Sequence, residues 1–227
     1  MSDLFDEYAA DYDSALQRGI SISGEDKLFF ARGRVSWLKK CLDAAGANPR
    51  LILDFGCGTG SAAPFLLDLI GSRLIGLDPS EKSLQQARTA NDPERTEFFP
   101  PSGYQPSGSV DLAFCSGVFH HVEPDARRDW LRYIFDSLRD GGFFAFWENN
   151  PWNPGARIVM RRTPFDRDAK AITPAEARRM LKRAGFHVLR TDFLFIFPHF
   201  LRWFRPLEPF AAPLPLGAQY QILCCKR

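Results

Sequence analysis

The chain has 227 residues, 45% of them hydrophobic and 25% charged, enough for one domain with a sizeable core and ordinary for a globular protein. Its 29 Lys and Arg against 27 Asp and Glu leave a formal charge of +2, which gives no reason to expect nucleic acid as the main partner. The acidic start MSDLFDEYAADYD lacks an apolar core, so no secretory signal is expected. Cys41, Cys57, Cys115, Cys224 and Cys225 show no ligand spacing, which predicts no metal site and free thiols in a reducing cytoplasm.

In chain order, SGED at Ser23–Asp26 resembles a capping box, and Leu28, Ala31, Val35, Leu38 and Leu42 follow at helical spacing. RLILDF then reads as a strand and SAAPFLLDLI as a helix ended by Gly71. RLIGLD is a second strand, followed by the helix SEKSLQQARTAN, which Asp92-Pro93 stops. RTEFF and SVDLAFCSG are the third and fourth strands. DARRDWLRYIFDSLRD is a helix closed by Gly141-Gly142, and FFAFWEN is the fifth strand. A long connection with one short helix leads to Thr173 as N-cap, Pro174 at the first helical position, and a helix ended by Gly185. HVLRTDFLFIF and AQYQILCCKR are the sixth and seventh strands. Such alternation predicts an α/β fold of βαβ units, a parallel sheet with helices on both faces.

The stretch LILDFGCGTG hands a buried strand to a glycine turn, where the missing Cβ atoms let a ligand approach the backbone. The dinucleotide fingerprint wants a third glycine where Ser61 stands. Asp78 ends the second strand 18 residues after Gly60, placed to accept hydrogen bonds from ribose hydroxyls and to repel a 2′-phosphate. No Lys or Arg follows the glycines, so a phosphate cradle is disfavoured. Asp54, at the tip of the first strand, could face an ammonium group.

Together LDFGCGTG, LIGLDPS, SVDLAFCSGVFHHV and LRDGGFFAFWE resemble the motifs of the class I S-adenosylmethionine-dependent methyltransferases, over nearly the whole chain. The resemblance implies a Rossmann-like three-layer sandwich over 1–227, with a seven-stranded, mostly parallel sheet whose last strand is antiparallel and inserted beside strand six. It implies S-adenosylmethionine as cofactor, with the methionine part passing Gly56, Cys57 and Gly58, the ribose on Asp78, and Pro79 or Ser80 flanking the adenine. Ser116 and Gly117, in the fourth-strand motif, fall beside the cofactor. Many relatives place an Asp after the third strand for the adenine amino group. Here the loop is FFPPSGYQPSG, where Ser102, Tyr104 or a backbone carbonyl is the substitute. Residues 1–48 form a helical lid in this reading, with Tyr12 near the methionine end and Arg32 or Arg34 pairing with the cofactor carboxylate.

An oxygen acceptor must lose a proton, and His120 and His121 follow the fourth strand at the expected boundary between cofactor and substrate. Either could be the base; capping the next helix or packing under the cofactor is the alternative. Glu148, Asn149 and Asn150 close the fifth strand and could bind polar groups of the acceptor or of the methionine moiety. With MRRTPFDRDA they resemble a subgroup of bacterial methyltransferases associated with glycan-lipid or glycosyltransferase functions. The Pro-broken aromatic run DFLFIFPHFLRWFRPLEPFAAPLPLG reads as a packed lid over the acceptor, an oligomer interface or a shallow membrane contact. Segments 150–172 and 197–217 are thus expected on the substrate side. The function expected is methyl transfer to a small-molecule, lipid or glycan-lipid oxygen. The alternatives are an NAD-linked oxidoreductase and a catalytically silent cofactor-binding scaffold.

Overall fold

The computed structural model describes residues 17–69, 71, 73–166 and 169–227. Helix α1 (Lys27–Ala44) precedes β1 (Leu51–Phe55), α2 (Ala63–Leu69), β2 (Arg73–Leu77), α3 (Glu81–Ala90), β3 (Thr96–Phe99), β4 (Val110–Ser116), α4 (Arg127–Ser137) and β5 (Leu138–Asn149). Then come α5 (Pro154–Arg162), α6 (Pro174–Arg183), β6 (His187–Leu194), a 3-10 segment His199–Leu207, α7 (Glu208–Ala211) and β7 (Gln219–Cys225). The sheet order is β3-β2-β1-β4-β5-β7-β6, with β7 antiparallel to both neighbours. The expected inverted last strand beside strand six is therefore present.

Strand residues alternate between two cores, as the pleat requires. Ile52, Leu112, Phe114, Ala145, Trp147 and Leu223 face the layer of α1 to α3. Leu53, Ala113, Cys115, Phe144, Phe146 and Ile222 face the layer of α4 and α6. Cys224 and Cys225 follow the same rule, the first buried and the second half-buried. Helix α1 is tied to the far edge of the sheet by Trp37, whose Nε1 donates to Asp192 Oδ2 at 3.1 Å, while Arg190 holds both oxygens of that carboxylate.

Three boundaries differ from the sequence reading. The N-cap of α1 is Asp26, whose side chain accepts from Phe29 N at 2.7 Å, and Ser23 belongs to the preceding turn. Helix α4 stops at Ser137 rather than running to Asp140, because Leu138 pairs with Val110 to begin β5. Lys226 Nζ donates to the carbonyls of Phe135 and Leu138, satisfying acceptors that the shortened helix leaves. Strand β6 ends at Leu194 rather than Phe197, since Phe195 takes φ 61°, incompatible with extended backbone.

The strand order reverses direction between β1 and β4. At such a switch point the loops leaving the carboxyl ends of two strands diverge and open a crevice. Here those loops are Gly56–Gly60 and Ser116–His121.

Candidate active site

The glycine turn is built for close approach. Gly56 N and Cys57 N both donate to Leu77 O, at 2.7 and 3.0 Å, folding the turn back over β2. Gly56 has φ +77°, and an added Cβ would lie 2.2 Å from Val118 Cγ2. Gly58 has φ +52° and nothing within 4 Å of its missing Cβ, so that space opens into the crevice. Asp78 bridges the two halves: Oδ2 accepts from Gly58 N and Oδ1 from Ser80 N, both at 2.9 Å.

Two small cavities flank Gly56 and Gly58. One, of about 100 Å³, is walled by Asp78, Pro79, Ser83, Gly117, Val122 and His121. The other, of about 150 Å³, is walled by Asp54, Cys57, Ser61, Arg34, Phe30 and Gln219. Ser116 borders both. A third cavity of about 380 Å³ also reaches Ser116, together with Gly117, His120, His121 and Asp166. Its apolar wall comes from Phe29, Phe30, Phe195, Phe197, Pro198 and Phe200. Val159 of α5 and Arg205 of the 3-10 segment complete it, so residues from both 150–172 and 197–217 line this space.

The sites named from sequence separate on inspection. Asp54, Gly56, Cys57, Gly58, Asp78, Pro79, Ser116 and Gly117 line the two small cavities. Ser80 does not; it is buried as the N-cap of α3, its hydroxyl accepting from Ser83 N. Arg32 is placed elsewhere, its guanidinium 5.4 Å above the Phe65 ring and its side chain on an outer groove with Glu25, Leu28 and His199. Arg34, two residues on, lines the Asp54 cavity and donates to Gln219 Oε1 at 3.1 Å. Neither Ser102 nor Tyr104 lines the Asp78 cavity; Ser83 and Val122, which the sequence reading did not name, do. Tyr8 and Tyr12 lie outside the described residues.

The end of β5 is also rearranged. Asn150 is structural: its amide donates to the carbonyls of Pro215 and Gly217 and its Oδ1 accepts from Trp152 N. Asn149 lines the large cavity and accepts from Gln219 at 3.3 Å. Glu148 faces the opposite core, fully buried beneath the fourth-strand loop. Its Oε1 accepts from Phe119 N at 2.8 Å, and its Oε2 lies 2.5 Å from His120 Nδ1.

His120 therefore sits between two carboxylates, with Asp166 Oδ1 3.3 Å from its Nε2. Burial disfavours the charged ring, but Glu148 and Asp166 outweigh it and raise its pKa to about 10. Asp166 is held near 2: burial pushes it up, and His120 and His121 more than reverse that. His121 Nε2 lies 3.1 Å from the same Asp166 oxygen, and unlike His120 its ring is partly accessible, bordering both the Asp78 cavity and the large one. His120, His121 and Asp166 together offer three metal-ligating atoms within 4.8 Å of one another. Sequence spacing did not show this grouping. Arg127 and a main-chain bond from Lys170 N to His120 O clamp the loop from behind.

Asp54 tests whether the crevice suits the expected cofactor. Its Oδ2 is buried with no hydrogen-bond partner. Burial first, then the nearby Asp78, raises its pKa to about 7, although Arg34 opposes the shift. A buried carboxylate oxygen without a donor is costly and calls for one. The α-ammonium of a methionine moiety would supply that donor, and the open space at Gly58 would admit the chain that carries it. The residues present fit S-adenosylmethionine.

Comparison with known proteins agrees. A family model described as a methyltransferase domain matches residues 53–144. An uncharacterized methyltransferase of Bacillus mycoides is 30% identical over 198 residues, covering 83% of this chain and 78% of that protein. Trans-aconitate 2-methyltransferase of Rhodopseudomonas palustris is 28% identical over 142 residues, covering 61% of this chain; the chain spans only 55% of that enzyme's length. Among solved structures, magnesium protoporphyrin IX methyltransferase from Synechocystis, with S-adenosylhomocysteine bound, superimposes with a TM-score of 0.65 at 17% identity, covering 100% of this chain and 98% of that one.

Proposed function

Because this chain belongs to the class I S-adenosylmethionine-dependent methyltransferases, we propose that it methylates an oxygen of a largely apolar small-molecule or lipid-linked acceptor held in the 380 Å³ cavity. The nicotinamide alternative is set aside by that membership. The observation that carries the acceptor reading is the placement of the His121–Asp166 pair where the cofactor crevice opens into an aromatic-lined space.

When bound, S-adenosylmethionine supplies a sulfonium methyl group ready for in-line displacement. The chain's own residues hold and align. Asp54 meets the ammonium group, and Asp78, anchored by Gly58 N and Ser80 N, keeps lone pairs for the ribose hydroxyls. Pro79, Ser83 and Val122 wall the adenine side. The Phe29, Phe30, Phe195 and Phe197 rings exclude water from the acceptor, which matters because alignment in a dry pocket supplies much of the rate for so good a leaving group.

The His121 imidazole would take the acceptor's hydroxyl proton as that oxygen receives the methyl group, with the displaced sulfur keeping the bonding pair. Asp166 orients that ring through Nε2 and stabilises the imidazolium. His120 is a poor base because it already holds its proton between Glu148 and Asp166; it positions Asp166.

The test is a turnover screen with S-adenosylmethionine against hydroxylated aromatic and lipid-linked acceptors, each paired with the matching amine, with products read by mass spectrometry. Methylated hydroxyl compounds are expected and unmodified amines beside them. Methylation of the amines alone would refute the oxygen assignment. Tight S-adenosylhomocysteine binding with no turnover on either set would favour a silent scaffold.

A further inference from the structure

The large apolar side chains exposed among the described residues are unevenly spread. Phe200, Trp203, Phe204, Leu207 and Phe210 stand out from the 3-10 segment and α7, with Trp203 75% and Phe210 84% exposed. The first four lie in the 3-10 segment, where residues three apart stack, so Phe200 with Trp203 and Phe204 with Leu207 form two adjacent exposed rows. Trp152 is exposed on the neighbouring loop, which Asn150 and Asn153 stitch to the carbonyls of Pro215, Leu216 and Gly217.

This surface is firmly mounted. Arg205 Nη2 bonds Glu25 Oε1 at 2.6 Å, its Nε donates to Phe197 O, and its guanidinium covers the Phe29 ring at 4.5 Å. Glu208 turns inward and accepts from Ile196 N at 2.8 Å. The exposed aromatics are thus presented outward by a platform whose polar groups are satisfied inside.

Within the segments that carry these side chains the exposed charge has one sign, while Glu25 and the exposed Asp26 share the outer groove with His199. Arg157, Arg161 and Arg162 are exposed on α5, and Arg202 lies 4.8 Å above the Trp203 ring. Among the described residues of 150–166 and 197–217 no carboxylate is exposed; Asp166 is buried and Glu208 is half-buried. Exposed aromatic and leucine side chains with Arg202 over Trp203, and further arginines on the helix that follows Trp152, match the boundary between acyl chains and anionic headgroups. No helix among the described residues is long and apolar enough to cross a membrane, so such contact is peripheral.

We propose that this face, Trp152 with Phe200–Phe210 and the arginines of α5, docks on an anionic lipid bilayer. Phe200 is 72% exposed on this face and also lines the acceptor cavity, so docking sets the cavity mouth against the lipid surface. That last point rests on the acceptor reading above; the docking itself does not.

The test is vesicle co-sedimentation without cofactor or acceptor, using phosphatidylcholine alone and equimolar phosphatidylcholine and phosphatidylserine. The full chain is expected to sediment with the mixed vesicles and to be released by salt. Trp203→Ala with Phe210→Ala, neither of which lines the cavity, should weaken the binding by about tenfold or more. Arg161→Ala with Arg162→Ala should weaken it by about 25-fold, at roughly fivefold per cation. Unchanged S-adenosylhomocysteine affinity certifies that each variant is folded. The proposal is overturned if the full chain stays in the supernatant with both vesicle types, or if both variants bind like the parent. It is also overturned if sedimentation velocity shows a dimer that Trp203→Ala dissociates while vesicles are ignored, since the face then belongs to a second copy. Failure of the oxygen-acceptor screen leaves these readings untouched.

Discussion

The two halves of the crevice are made from different material. The cofactor half of the proposed site is built chiefly on the tips of β1, β2 and β4, short strands whose backbone hydrogen bonds fix the turns that follow, with Phe30, Arg34 and Gln219 closing the Asp54 side. The proposed acceptor half comes from residues 20–34, α5 with its N-cap Asn153, and the segment 195–219, joined by side-chain contacts: Arg205 to Glu25, Asn153 to Leu216, and the Phe195 ring 4.9 Å from Phe30. Backbone-built walls can hold one ligand through much sequence change, because main-chain N–H and C=O groups persist whatever the side chain. Side-chain-built walls alter shape with each substitution, which is how one sheet can serve many acceptors.

That contrast can be broken by asking whether the halves fail independently. The largest effect is expected on the acceptor side of the chemistry: His121→Ala or Asp166→Asn should lower kcat by about 10²- to 10⁴-fold while calorimetric affinity for S-adenosylhomocysteine stays the same. A parallel loss of affinity would mean that the pair belongs to the cofactor half. Next comes Asp78→Ala, which removes the acceptor for Gly58 N and Ser80 N and for the ribose. S-adenosylhomocysteine affinity should fall by about 10- to 100-fold, the equivalent of one charge-assisted bond.

Smaller effects sharpen the contrast. A Cβ at Gly33 would sit 2.6 Å from Phe195 Cε1, so Gly33→Ala should cost about 1–3 kcal/mol, lower Tm by about 2–4 °C per kcal/mol, and raise the acceptor KM. His120 supplies a pH signature. Its folded pKa is raised, so its contribution is complete below the ordinary imidazole value of about 6.5 and is lost as pH rises through about 10. Thermal melts should show stability declining across that window, and His120→Gln should flatten the decline. Asp54 gives the smallest signal. Its folded pKa of about 7 lies above the usual carboxyl range, so the ligand-free protein loses its contribution as pH rises from about 4 to about 7. An arriving ammonium group expels the proton. Near neutrality, cofactor binding should release up to one proton, seen as buffer-dependent enthalpy, and Asp54→Asn should abolish the release.

The same contrast explains what could be read in the sequence. Strand periodicity, glycines and the Asp78 spacing are local patterns, so the sheet and the turns that line the small cavities are legible in the sequence. The acceptor half was legible only as a region. Asp166 lies 46 residues from its partner His120, in a loop with no periodicity to place it. Arg32 and Arg34 read alike in the sequence, both basic and near, yet two positions on a helix differ by roughly 200°, and only Arg34 faces the crevice. Glu148 reads from the sequence as a ligand group at a strand tip. The alternation that puts Trp147 in one core sends Glu148 to the other, under His120, and that signal was present in the strand itself.

The placement of β7 between β5 and β6 has a kinetic side. Strands β5 and β6, the two neighbours of β7, are both complete before β7 exists in the chain, yet neither can reach its final edge contact until β7 threads between them, pairing Asn149 with Gln219 and Phe143 with Cys225. Closing so distant a pairing is slow, and in the meantime two unpaired edges stand open to other chains. Gln219 and Ala218 wall two of the ligand cavities, so the crevice is incomplete on that side until β7 docks, and full affinity for S-adenosylhomocysteine is expected only afterwards. A ligand that binds only the finished sheet draws the slow step to completion, and supplying it during refolding should raise the yield of active protein.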